Sequence, residues 1–169
     1  MKKNLLIIVL ISILTGCVKN AEPETFLIPE DYSGGVIVII FNQKNGSVKE
    51  YDEGRRIYRI PKNGILHTQF SPVEGVLNEK FFWVDKKYNL INEIRRVVFE
   101  NEPRKEVTYI LDQYDGSFTI YPKRGILEGS SKDYPSIDYI YITLGKINQD
   151  RNDLRKKANK VIQELSERY

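Results

Sequence analysis

Cysteine and histidine each occur once in the 169 residues. A lone thiol has no partner for an internal disulfide, so the chain must hold its fold by packing alone. One imidazole and one thiol are also too few for a thiolate-imidazole zinc site, and they leave the common nucleophilic triads without their base or their nucleophile. The sequence has no Gly-x-x-x-x-Gly-Lys-Ser/Thr loop to cradle phosphate, and no loop of alternating acids ending in a distant glutamate to hold calcium. Asp112, Asp115 and Gly116 lie close together, but they read as hairpin-turn chemistry. The single histidine, His67 in "ILHTQF", alternates with Ile65 and Gln69 and reads as a half-buried strand residue, not a catalytic base. No metal and no cofactor is expected. The longest apolar run, Leu5 to Leu14 interrupted only by Ser12, falls short of the roughly 20 residues that a membrane-spanning helix needs.

That run nevertheless has neighbours that give it a purpose. Lys2 and Lys3 precede it, and the small residues Thr15 and Gly16 follow it directly ahead of Cys17. A charged block, a short apolar block and a small-residue site make up the layout of a secretory signal peptide. The lysines stay on the cytoplasmic side, so the chain beyond the apolar block is the exported part. "LTGC" resembles the lipobox of bacterial lipoprotein precursors, which implies cleavage before Cys17, a diacylglyceryl group on its sulfur and further acylation of the new amino terminus. The thiolate is the competent nucleophile for that alkylation. The alternative is a plain signal peptide with a chance cysteine. Two or three acyl chains give stable attachment at about 0.8 kcal/mol per buried methylene. The expected organisation is a signal peptide over 1–16, a lipidated Cys17 with a polar tether to residue 25, and one domain over 26–169.

Removing the leader takes two lysines and no acid from 26 basic and 23 acidic residues, which leaves 24 against 23. Without a concentrated basic face, nucleic acid is not an expected partner. The remaining length of about 150 residues suits one domain with a real core. Eleven tyrosines favour strands.

Along the mature chain, Val36 to Phe41 is a run of branched and aromatic residues of strand length. Val48 to Tyr51, Arg55 to Ile60, Ile65 to Phe70, Lys80 to Val84, Arg95 to Phe99, Val107 to Leu111, Ser117 to Tyr121 and Ile137 to Leu144 continue the pattern, with turn clusters such as Pro61-Lys62-Asn63-Gly64 between them. Short strands at this spacing predict a mainly β fold, an antiparallel β-sandwich. After Asp150, a candidate N-cap, Leu154, Ala158, Val161, Ile162, Leu165 and Tyr169 draw one apolar stripe down a C-terminal amphipathic α-helix over about 150–168. Val36 to Phe41 is apolar on both faces, so the helix is expected to cover one of them.

"FLIPEDYSGGVIVIIFNQKNG" followed by "GRRIYRIPKNGILHTQF" resembles an uncharacterised domain family of exported bacterial lipoproteins. The matching positions are Pro29, Glu30, Tyr32, Gly34 and Val36, then Tyr58, Ile60, Pro61 and Gly64, with Asp31 standing where that pattern often has glycine. The likeness spans residues 25 to 145 and implies an envelope location and a β-rich fold, but no reaction.

Three features are candidates for contact with a partner. Tyr139 and Tyr141 share one side of "SIDYIYITLG", where they form an aromatic strip if the helix does not cover them. Arg151, Arg155, Lys156, Lys157 and Lys160 crowd the first half of the helix, against the preference of its dipole, and they suit anionic headgroups or wall polymers if they are more than a solvated face. Glu30-Asp31 and Asp52-Glu53 are the loop carboxylates that a glycan hydrolase would use. The leading expectation is a non-enzymatic lipoprotein anchored to the membrane outside the cytoplasm, which binds or braces an unknown envelope protein or glycan; the rival is a small envelope hydrolase.

Overall fold

The computed structural model describes residues 20–76, 78–97, 117–127, 137–146 and 151–168. Cys17, the expected strand Val107 to Leu111, the turn at Asp112 to Gly116 and the candidate N-cap Asp150 lie outside them.

Nine strands and one helix are described: β1 (Glu24–Pro29), β2 (Val36–Ile40), β3 (Tyr51–Asp52), β4 (Arg55–Arg59), β5 (Ile65–His67), β6 (Glu79–Val84), β7 (Leu90–Val97), β8 (Ser117–Leu127), β9 (Ile137–Lys146) and α1 (Arg151–Ser166). The strands hydrogen-bond in the order β3-β4-β1-β6-β7-β8-β9-β2-β5. Mainly β with a C-terminal helix, as the patterning predicts, the sheet is mixed where a purely antiparallel one was expected. Strand β1 runs parallel to both β4 and β6, β2 parallel to β5, and β7 parallel to β8. The sequence carries a trace of this. Parallel strands are buried on both faces and read as continuous apolar runs, as "FLI" in β1 and "VIVII" in β2 do.

Five steps separate β1 from β2 in the strand order, about 24 Å across a flat sheet. Yet Phe26 and Ile28 of β1 share one buried cluster with Ile37 and Ile39 of β2. The sheet therefore folds over on itself, and its two halves face each other across the core as sandwich layers do. The segment from Ser47 to Asp52 spans the gap between the two outer edges. Ser47 bonds to His67 and Gln69 beside β5 (2.8 and 3.0 Å), and the Glu50 carbonyl accepts from Ile57 of β4 (2.9 Å).

Alternation along β2 divides its side chains between two environments. Ile37 and Ile39 point into the core with Phe41 beyond them, and Val36, Val38 and Ile40 form a second cluster with Ala158 and Leu165 of α1, flanked by Val161 and Ile162. The apolar stripe of the helix thus covers the outer face of β2, as expected.

The packed chain begins earlier than the tether reading has it. Ala21 is buried and β1 starts at Glu24, inside the segment taken as a solvated linker to residue 25. Polar residues signalled solvent there, but Glu24 and Thr25 both have partners. The Arg55 side chain donates to Thr25 Oγ1 (2.8 Å), to the Asn78 carbonyl (3.0 Å) and to the Glu24 carbonyl. The Glu24 carboxylate accepts from Tyr58 Oη at 2.6 Å.

Tyr32 explains two of the motif glycines. Its ring is buried, its hydroxyl donates to the Val36 carbonyl, and a Cβ on Gly34 or Gly64 would press into that ring. Gly64 also adopts φ +76, in the left-handed region. Gly64→Ala combines backbone strain with a clash and is expected to lose about 2 kcal/mol in urea unfolding. Gly54→Ala, at φ +75 with open space around it, isolates the strain and should lose less.

Candidate functional site

The loops that leave the C-terminal ends of β4, β1 and β6 surround a hollow of about 330 Å³. Pro29, Ile60, Pro61 and Val84 supply its apolar surface, and Glu30, Asp31, Lys62, Asp85 and Lys86 supply its charges. This volume lies at the lower end of the range for small-molecule sites, and half of the residues that line it are charged. The two motif segments of the sequence meet here, Pro29-Glu30 from one and Ile60-Pro61 from the other.

Local chemistry builds the rim. Lys62 Nζ lies 2.6 Å from Asp31 Oδ2, and that hydrogen bond holds the Asp31 carboxyl below the usual range. Asp85 shapes the turn into β7: its Oδ1 accepts from the backbone of Lys87 (2.7 Å) and Asn89 (2.9 Å), and its Oδ2 accepts from Asn89 Nδ2 (2.8 Å). Those bonds, led by the Asn89 side chain, hold Asp85 low as well. The same turn puts Tyr88 at φ 64, where a bulky residue sits only under constraint. Its ring lines the hollow with the Arg59 guanidinium 4.5 Å from its centroid, and Arg59 is fixed in turn by Glu50 at 2.9 Å.

The opposite end of the same three strands contains a buried polar cluster. Glu24 is 1% exposed, and burial pushes its carboxyl up to about 7 against the opposing hydrogen bond from Tyr58. Arg56 donates to Glu22 (2.6 Å) and to the Ser71 carbonyl (2.5 Å), and lies 4.8 Å from the Phe70 ring centroid. This cluster faces the core and lies away from the hollow.

Residues 20–124, more than half of the chain, match the model of a family of unknown function (DUF6843). The chain belongs to that family. The match takes in both motif segments and every residue that lines the hollow, while α1 lies beyond it. No curated protein matches the sequence. Among solved structures, the fold is similar to that of a Bacillus anthracis protein called a "Putative Lipoprotein", with a TM-score of 0.52 and 14% identity over 88% of this chain and 98% of that one. At that identity the likeness establishes a shared fold.

Against this frame, the residues singled out in the sequence fall in different places. Glu30 and Asp31 line the hollow beside Asp85, whereas Asp52 and Glu53 form the β3–β4 hairpin tip, with Glu53 at φ 46 and Gly54 at φ 75, at the other end of β4. The two acid pairs are not brought together. Of the three acids that line the hollow, Asp31 and Asp85 are held below the usual carboxylate range by Lys62 and Asn89. Tyr139 is buried in the cluster beneath α1, and Tyr141 packs against that cluster, so the tyrosine strip forms part of the seat of the helix. Ile142 on the other side of β9 is in the main core and Ile140 packs against it. Arg155, Lys156, Lys157 and Lys160 are exposed on α1; Lys156 approaches Asp153 (3.8 Å) and Lys160 approaches Glu164 (3.9 Å). Arg151 opens the helix. His67 is half-buried in β5. Arg59, Asp85, Lys86 and Tyr88 were not singled out, since only the meeting of β4 with the β6–β7 turn makes them neighbours. Among the described residues no group of His, Cys, Asp and Glu could hold a metal ion, and no helix is long and apolar enough to cross a membrane.

Proposed function

We propose that the protein is a lipid-anchored lipoprotein of the bacterial cell envelope. In this reading acyl chains on Cys17 hold it outside the cytoplasm, and it acts as a non-enzymatic binding or bracing module for an envelope protein or glycan. The observation that carries it is the order of Lys2-Lys3, Leu5 to Leu14 and Leu14-Thr15-Gly16-Cys17, followed within a few residues by a packed domain that needs no disulfide. A fold shared with a protein called a putative lipoprotein supports it. The hollow between β4, β1 and β6 supplies the binding surface, with ionised acids and lysines around an apolar wall.

Replacing Cys17 with serine removes the only thiol. The native protein is expected in the membrane fraction with a mass increased by its acyl groups. Cys17→Ser is expected to leave that fraction for the soluble exported one, or to keep its leader uncut. Native protein carrying an intact Met1, or an unmodified Cys17 in cytosolic material, would refute the reading.

A further inference from the structure

We propose that the end of the sandwich where the chain enters, centred on Val76, rests on the lipid surface and that the hollow therefore faces away from the membrane. This orientation rests on the lipid anchor proposed above and adds the surface by which the domain meets the bilayer.

The length of chain outside the packed domain sets the geometry. Ala21 is 7% exposed and its amide donates to the Val76 carbonyl at 3.0 Å, while Asn20 forms a bridge with the same residue. Four residue steps separate Cys17 from Ala21, and even a fully extended chain covers no more than about 14 Å in that distance. The modified sulfur lies at the glycerol level, and the headgroup layer above it is roughly 6 Å thick. The entry end of the domain is therefore held within about 8 Å of the membrane surface.

Several features converge at that end. β1, β4 and β6 are parallel, with Glu24 level with Arg56 and Glu79, so their first residues lie together beside the β3–β4 hairpin tip and the segment from Ser71 to Val76. Val76 is 56% exposed among the described residues, next to the root of the tether. The exposed charges here are Asp52, Glu53 and Glu74 against Lys80, while the half-exposed Arg55 is bonded to Thr25 and to the Glu24 and Asn78 carbonyls and Glu22 is paired with Arg56 at 2.5 Å. That excess of acid gives no attraction to anionic lipid, so contact is made by the acyl chains and Val76 and does not depend on headgroup charge.

The other end is carried outward. Strand β1 rises about 17 Å from Glu24 to Pro29, where the hollow opens. The first half of α1 lies at that level too, since Leu154 and Lys157 approach Gly35 just ahead of β2. The first turns of α1, with Arg155, Lys156 and Lys157 exposed on them, accordingly lie at the level of the hollow and not at the headgroups.

Because the native thiol is consumed by the anchor, an introduced cysteine is the single reactive thiol of the lipidated protein. Val76→Cys, Glu74→Cys, Lys86→Cys and Lys156→Cys, each carrying an environment-sensitive nitrobenzoxadiazole label, are placed in phosphatidylcholine vesicles containing a headgroup nitroxide. Labels at positions 76 and 74 are expected to lose most of their emission and those at 86 and 156 to keep theirs, with the same contrast when anionic lipid is added. Stronger quenching at 156 than at 76, or equal quenching at all four positions in protein whose mass shows a lipidated Cys17, would overturn the orientation and leave the anchor standing. A mass showing an unmodified Cys17 would overturn both.

Discussion

Phe26→Ala is expected to lower the unfolding free energy by about 3–5 kcal/mol. Phe26 is fully buried, with its ring stacked on Tyr58 at 5.0 Å on one side and on Phe81 at 4.7 Å on the other, at interplanar angles of 13° and 11°. These rings come from β1, β4 and β6, so a single side chain joins the three parallel strands through their inner face. Removing it forfeits the transfer of the ring out of water, leaves a cavity between two flat surfaces that cannot close on each other, and breaks two stacked pairs worth about 0.5–1.5 kcal/mol each beyond their area. Against a total of about 5–15 kcal/mol for a typical domain, the loss would take at least a fifth of the stability. Urea unfolding of a chain begun at Val18 measures it as a lower midpoint at unchanged slope. A loss below about 1 kcal/mol would show that the ring ladder does not hold these strands together.

The parallel trio was also the least legible part of the fold. A sequence reports what a residue prefers locally, and β2 and α1 could be read because their signals are local: an unbroken branched run in "VIVIIF", and an apolar stripe at helical spacing from Leu154 to Leu165. Direction of pairing is not local. Short spacings such as those between Tyr51 and Arg59 suggest hairpins, and β3–β4 is one, yet β1 finds both of its partners at a distance. β1 was concealed further because Glu24 and Thr25 look like linker residues until Tyr58 and Arg55 stand beside them.

The candidate site divides in the same way. Pro29, Glu30, Asp31, Pro61 and Lys62 were visible as turn and loop chemistry in two segments, and the fold brings these segments to one rim. Tyr88 gave no signal. Its importance lies in a positive φ imposed by the bonds to Asp85 and in a ring that meets Arg59 from another strand, and neither is a property of the sequence around it. The tyrosines of β9 were visible but offered two readings, because alternation states which side chains share a face and not what covers that face. The position of α1 decides their environment.

Glu24 makes the stability of the domain fall with rising pH, a direction opposite to the usual carboxylate effect. Burial raises its carboxyl from the ordinary 4.5 to about 7, while Tyr58 and Arg56 pull it back down and Glu79 and Glu22 push it up. Below the unfolded value both states hold the proton and the contribution is fully present. Between pH 4.5 and about 7 the unfolded chain releases its proton and the folded one keeps it, so stability declines by up to about 1.4 kcal/mol per pH unit, on the order of 3 kcal/mol in all. Above about 7 the loss is complete. Asp31, Glu50 and Asp85 act in the other sense, held low by Lys62, Arg59 and Asn89, so their small contributions disappear as the pH falls through their folded values, below the ordinary range. Stability is therefore expected to peak near pH 4–5 and to be lower at pH 8. Glu24→Gln keeps an oxygen to accept from Tyr58 and has no proton to lose. It is expected to flatten the decline and to exceed the native protein at pH 8 by about 3 kcal/mol in urea unfolding. An unchanged decline in Glu24→Gln would assign the pH dependence to another group. Because Glu24 lies three residues from Ala21 and its amide bonds to the Asn78 carbonyl at 2.9 Å, its ionisation weakens the strand that begins directly after the tether. The base of the domain, and not the rim of the hollow, is the part expected to loosen first in alkali.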